Sequence, residues 1–255
     1  MKTVRLRSFI TAVADSGGDR PALVLMHAVG TNMRMWQAVA PRLADDFRIV
    51  TFDSRGHGRA AGAPPARDLG DFAADLLELL DALELRRVHL AGLSFGGAVA
   101  QQFALSHQER LESLTLIATM AKAAPALLDR AIAAERDGVA AQVEPTLARW
   151  FTPAAIAQRH WGVEYAREAL SAMRLGDWSA AWRAVATLDT AERLGEIRVP
   201  VHVIAGELDG STPPDAMRGL AARIPGASFD VVDGAPHMLS LEQPERLAGA
   251  MLARL

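Results

Sequence analysis

The sequence predicts an α/β architecture, a mostly parallel sheet flanked by helices and interrupted by one helical insertion. Three observations predict it. Short apolar runs of strand length alternate with longer patterns at helical spacing as far as Ile117. Between about Met120 and Leu194 only helical patterns recur, and the alternation resumes at Val201. The chain has 255 residues, half of them hydrophobic, which suits one large domain or two small ones and excludes disorder as the main state.

The first residues read as a pair of short strands ending at the turn Ser16-Gly17-Gly18-Asp19. Phe9–Ala14 contains Thr11 and falls short of the roughly 7–15 apolar residues of a secretory signal. Leu23–Met26 is a buried strand that runs into His27-Ala28-Val29-Gly30. Met35, Trp36, Val39 and Leu43 recur at helical spacing and predict a helix over Met35–Leu43. Arg48–Asp53 is the next strand, followed by a Gly-rich turn at Arg55–Gly58 and a loop over Ala60–Arg67 that contains Pro64-Pro65. Asp71–Leu85 is an amphipathic helix with Phe72, Leu76, Leu79, Leu80 and Leu83 on one face. Val88–Ala91 is a strand, Gly92–Gly96 a turn, the segment to Ser106 a helix, and Leu114–Ile117 a strand.

In the insertion, Trp178, Trp182, Val185 and Leu188 stand at i, i+4, i+7 and i+10 of a helix. Strand Val201–Ala205, a helix near Ala216–Arg223, strand Phe229–Val232 and a closing helix Glu245–Leu255 complete the pattern. The expected organisation is a core over residues 1–119 and 195–255, with a helical cap over 120–194 inserted in it.

Composition excludes several chemistries. Cys is absent, so no disulfide, thiolate zinc site, Fe–S cluster or Cys nucleophile is available. The net charge of -3 offers no bulk basic field for nucleic acid. The longest uncharged run, Leu90–Ser106, carries Gly92, Gly96, Gly97, Gln101 and Gln102, a poor candidate for crossing a bilayer. No His and carboxylate grouping has metal-ligand spacing. The expectation is a soluble, cytoplasmic chain without cofactor, metal, membrane or nucleic-acid partner.

Gly92-Leu93-Ser94-Phe95-Gly96-Gly97 lies between a predicted strand and a predicted helix and fits G-x-S-x-G. Glycines at both ends let backbone crowd a turn that pushes the Ser94 hydroxyl above the sheet. The amides of the following helix point at the same spot, where negative charge on oxygen would form. A serine hydroxyl needs a base, and the base an orienting carboxylate, in the chain order Ser, acid, His. Gly206-Glu207-Leu208-Asp209 follows strand Val201–Ala205 and offers Asp209 as the acid, with Glu207 as the alternative. His237 follows strand Phe229–Val232 and emerges at the sheet edge where open parallel sheets bind ligands. The other histidines read differently: His89 and His202 lie within strands, His57 precedes the serine, and His107 ends a helix. His27 braces a loop, and His160 lies in the insertion, at the surface or against substrate.

On these residues the chain resembles the Ser-His-Asp α/β-hydrolases over nearly its whole length, and within them the 3-oxoadipate enol-lactonase-like branch. The carriers are Gly30-Thr31-Asn32 with Met35-Trp36, Phe52–Gly58, Gly92–Gly97, Arg149-Trp150-Phe151-Thr152, Gly206–Asp209 with Thr212-Pro213, and His237. The resemblance implies Ser94 as nucleophile, Asp209 as orienter and His237 as base. It implies an oxyanion hole from the Val29 and Phe95 amides, and the inserted helices as a cap over the site. Ala28 departs from the pattern, since the wider group usually has Gly after that His.

The expected reaction is hydrolysis of a small-molecule carboxylic ester or lactone through an acyl-enzyme on Ser94. Thioester, C–C bond or perhydrolase chemistry on the same triad, and a non-catalytic receptor, are the alternatives. A lactone bearing a carboxylate needs a cation in the pocket; Arg149, with Trp150 packing on the ring, is the candidate, against a solvated helix charge. Trp178 and Trp182, four apart on one helix face, read as cap packing with either able to line the pocket.

Overall fold

A computed structural model describes residues 1–255. In chain order its elements open with β1 (Lys2–Arg5), β2 (Ile10–Asp15), β3 (Ala22–Met26), α1 (Ala40–Leu43), β4 (Arg48–Phe52) and α2 (Leu69–Ala82). They continue with β5 (Val88–Leu93), α3 (Phe95–His107) and β6 (Leu111–Ile117). Five helices follow with no strand among them: α4 (Ala126–Asp137), α5 (Ala140–Trp150), α6 (Pro153–Ala157), α7 (Trp161–Ser171) and α8 (Leu175–Val185). The sheet then resumes with β7 (Val201–Gly206), α9 (Pro214–Ala221), β8 (Ser228–Val232), α10 (Leu239–Glu242) and α11 (Pro244–Leu252).

All eight strands form one sheet in the order β1-β2-β4-β3-β5-β6-β7-β8. The six strands from β4 to β8 in that order pair in parallel, and β1 and β2 add an antiparallel edge. Parallel strands need crossovers, and the segment holding α1, then α2, α3, the segment from α4 to α8, and α9 supply them. Every residue of β3 is buried, as are all but one of β5, because helices cover both faces. On α2 the buried stripe is Leu69, Phe72, Ala73, Leu76, Leu79 and Leu80, and Asp68 caps its start by accepting from the Gly70 and Asp71 amides. Helix α3 is buried on nearly every side, so its sequence is apolar without a polar face.

The helix predicted over Met35–Leu43 is corrected. Met33–Trp36 forms a 3-10 turn capped by Asn32, whose side chain accepts from the Arg34 amide, and the separate α1 starts at Ala40 with Pro41 in its first turn. A proline there has no N–H to bond back one turn, so one continuous helix cannot form. Trp36, Val39 and Leu43 are buried regardless, so the apolar spacing marked the right face of two shorter turns. The closing helix expected over Glu245–Leu255 is α11, which Pro244 starts and which stops at Leu252; the short α10 precedes it. No helix is long and apolar enough to cross a membrane.

Candidate active site

Ser94 sits between β5 and α3 at φ 56°, ψ -112°, a conformation a non-Gly residue adopts only where its surroundings enforce it. The surroundings are backbone. A Cβ on Gly92 would lie 2.2 Å from the Gly96 carbonyl oxygen, and one on Gly96 would lie 2.5 Å from that of Met26. The elbow therefore closes only with glycine at both positions. It is tied down by the Ser94 amide donating to the Ile117 carbonyl (2.9 Å) and by the Thr119 hydroxyl donating to the Ser94 carbonyl (2.8 Å).

His237 reaches the same point from the loop after β8. Its Nε2 stands 3.0 Å from Ser94 Oγ, and its Nδ1 stands 2.8 Å from Asp209 Oδ2. Nδ1–H donates to the carboxylate, which leaves Nε2 as the acceptor for the serine proton. Asp209 follows β7, and its Oδ1 accepts from the Ser211 and Thr212 amides at 2.7 and 3.0 Å. The Thr212 hydroxyl donates to Oδ2 at 2.5 Å. Burial of Asp209 favours the neutral acid, but attraction to His237 and the bonds from His237 and Thr212 outweigh it and hold the carboxyl below its ordinary value. Gly206, at the end of β7, lets the two loops meet: a Cβ there would stand 2.5 Å from the Ala235 carbonyl oxygen. Glu207, the alternative acid, is exposed and accepts from the Gly234 amide, whereas the carboxylate bonded to His237 is that of Asp209.

The Val29 amide donates to no protein acceptor, and Phe95 is the first residue of α3, where amides have no partner within the helix. Both residues line one cavity with Ser94 and His237. Ala28 anchors the Val29 loop, because its carbonyl accepts from His27 Nδ1–H, the Thr31 amide and the Thr31 hydroxyl. Ala28 is not at positive φ, so no glycine is required at that position.

The cavity measures about 660 Å³ and is roofed from α4, α5 and α8. Arg149 and Trp150 both line it. The Arg149 Nη2 donates to the Thr146 hydroxyl at 2.8 Å, its Nε is buried without a partner, and no carboxylate lies within ion-pair distance. Burial lowers its pKa. Arg149 as a whole is half-buried at the cavity wall. Trp182 lines the cavity, whereas Trp178 is fully buried packing whose Nε1–H donates to the Arg130 carbonyl.

Sequence reasoning missed Arg130. Its guanidinium lies 4.4 Å from the centre of the Trp182 ring, lines the cavity and has no carboxylate partner. Burial, with repulsion from Arg149, pushes its pKa down to about 10. The readable signal was its place beside the buried stripe Leu127, Ala131 and Ala134 of α4. His160 is half-buried, caps α7 through Nδ1 and does not line the cavity. His89 bonds Ser113 through Nδ1, and His202 bonds Asp230 through Nε2 while its Nδ1 is buried without a partner.

The alpha/beta hydrolase fold family matches residues 21–244. A 3-oxoadipate enol-lactonase of Acinetobacter baylyi is 31% identical over 230 residues, which span 89% of this chain and 86% of that protein. A hydrolase from Pseudomonas aeruginosa superposes with a TM-score of 0.92 at 33% identity, covering 99% of this chain and 97% of that one. The enol-lactonase from Burkholderia xenovorans superposes with a TM-score of 0.94 at 25% identity, covering 99% and 98%.

Proposed function

This chain belongs to the alpha/beta hydrolase fold family, and from that premise we propose that it hydrolyses a small-molecule carboxylic ester or lactone through an acyl-enzyme on Ser94. The carrying observation is the unbroken chain of short contacts from Ser94 Oγ through the His237 ring to Asp209. In this reading His237 Nε2 takes the hydroxyl proton as Ser94 Oγ attacks the carbonyl carbon. The Val29 and Phe95 amides stabilise the tetrahedral oxyanion, each such donor being worth roughly 3–4 kcal/mol in comparable sites. Collapse expels the alkoxide, which takes the proton from His237. Water, activated by the same ring, then releases the acid. With a lactone the leaving oxygen stays on the acyl chain, so one ring-opened product leaves.

Residues 120–194 act in this reading as the cap, and 1–119 with 195–255 as the core, of an enzyme working in the cytoplasm without cofactor or metal. Arg149, with Arg130 beside it, supports a substrate bearing a carboxylate, since neither guanidinium has a protein counter-ion.

A fluorophosphonate probe is expected to label native protein and leave Ser94→Ala unlabelled; equal labelling of both would sink the nucleophile assignment. In a matched screen of neutral and carboxylate-bearing lactones and aryl esters, Arg149→Ala should raise KM for the anionic members alone. An unchanged KM for the anionic members would remove the carboxylate from this reading and leave the serine chemistry standing.

A further inference from the structure

The Val29 amide rides on a short loop between β3 and the Met33–Trp36 turn. Its near end is held at Ala28 by the three donors to that carbonyl. At the far end the partner comes from the helical layer. The Asn32 amide donates to Tyr165 Oη at 3.1 Å, and the Tyr165 hydroxyl stands 3.0 Å from both the Asn32 carbonyl oxygen and Asn32 Oδ1. One side chain thus serves the backbone donor and acceptor of Asn32, as a neighbouring strand would. Tyr165 is buried in α7, and burial raises its pKa, so it stays a neutral hydroxyl able to donate and accept.

A second contact lies midway along the loop. Gly30 has φ +73°, and the space where a Cβ would stand is occupied by Leu170 of α7, with Trp178 and Trp150 behind it. The Val29 loop is therefore bonded to α7 at Asn32 and covered by α7 at Gly30, while nothing from the helical layer bonds to the Val29 amide itself.

We propose that Tyr165 is a positioning residue for the oxyanion donor: its hydroxyl fixes Asn32, and through it the direction of the Val29 amide toward the reacting carbonyl. The inference rests on the serine-hydrolase reading. A donor held loosely is lost from the transition state more than from the bound substrate, because the full oxyanion exists only there. The hydroxyl therefore acts on turnover and leaves substrate binding alone.

Tyr165→Phe keeps the ring and removes the bonds. Expected are a fall in kcat of about tenfold, short of the cost of deleting an oxyanion donor outright, with KM held within about twofold. A boronic acid, on which Ser94 Oγ adds to boron to give a tetrahedral oxyanion mimic, should lose affinity by the same factor. An unreactive amide analogue of the substrate should bind as before. The acidic limb of kcat/KM should not move, since His237 and Asp209 are untouched. A folded Tyr165→Phe protein with native kcat and native boronate affinity would overturn the proposal, and so would equal losses for boronate and amide.

Because Tyr165 is the only tyrosine, 3-fluorotyrosine reports on this site alone. Its fluorine resonance should shift when the boronate binds native protein and stay put in Ser94→Ala. If Tyr165→Phe does not fold, this measurement decides: a shift supports the coupling, and an unmoved resonance refutes it. Native protein that fails to react with a fluorophosphonate at Ser94 would instead bring down the serine-hydrolase reading together with this inference.

Discussion

Adding one methyl group at Gly96 strains the contact between the elbow and the strand that leads to the Val29 loop. The new Cβ would stand 2.5 Å from the Met26 carbonyl oxygen and 2.8 Å from that of His27, where ordinary contact starts at 3.4 Å. The first shortfall is about 0.9 Å, and both neighbours are backbone at the end of a fully buried strand, so no side-chain rotation relieves it. Either β3 recedes or the start of α3 tilts. Both movements separate the Val29 and Phe95 amides by a good part of an ångström. Overpacking of this kind costs about 1–3 kcal/mol, which lowers Tm by on the order of 5 °C in a domain of this size. A misplacement near 1 Å in a reacting constellation costs about a hundredfold in rate, so kcat of Gly96→Ala is expected to fall by about that factor. The assay is burst titration with an activated ester beside a thermal melt. Gly249→Ala is the internal control, because its Cβ meets nothing within 4 Å and it lies in α11. That variant should keep native kcat and gain up to about 1 kcal/mol. A folded Gly96→Ala protein with native turnover would refute the argument that backbone proximity there sets the oxyanion geometry.

Asp209→Asn should leave the fold intact and lower kcat by about 10³–10⁴-fold, since the ring then loses the acceptor that fixes its tautomer; a loss under tenfold would contradict the assigned role. Asp75→Ala strands the Arg55 guanidinium in a nearly closed site, so urea unfolding should show a loss of about 3 kcal/mol with kcat of the folded fraction unchanged. Acid should weaken the fold through His27 and His57, which burial depresses to about 4 and about 3. The unfolded chain protonates these rings near their ordinary pKa of 6.5 while the folded one does not, so their stability contribution is complete above about 6.5 and is lost progressively as pH falls toward 3. Urea titrations between pH 7 and 4.5 should show a falling unfolding free energy, less steep in His57→Gln; identical slopes in both proteins would exclude His57 as a source.

The convergence of Ser94, Asp209 and His237 is legible in the chain because their positions are local facts. Each follows an apolar run of strand length, and parallel strands deliver their C-terminal ends to one edge. Glycine at 92 and 96 carried the elbow for the same reason, since a turn that tight announces itself in residue type. Arg130 and Tyr165 were not legible. Their contacts depend on how α4 and α7 are rotated and docked, which is decided by Trp182 and Asn32 far away in sequence. The same distance effect hid the use of Gly206, a residue in plain view whose close neighbour is the Ala235 carbonyl. The predicted helix over Met35–Leu43 failed for a local reason instead, because periodicity outweighed the proline within it.

The Trp150 carbonyl accepts the Met238 amide at 3.1 Å, one residue after His237, and the Thr152 hydroxyl and amide donate to Glu242 in the same segment. Helix α5, with Thr152 just after it, thus supplies walls of the cavity and also a clasp on the loop that carries His237. For anyone building chimeras this means that exchanging the helical insertion for a relative's, to change which molecule is accepted, also exchanges the clasp. Turnover and selectivity should then shift together unless the junction at Trp150 and Thr152 is kept with its partners, so selectivity is better altered from α4 and α8, which carry neither clasp residue.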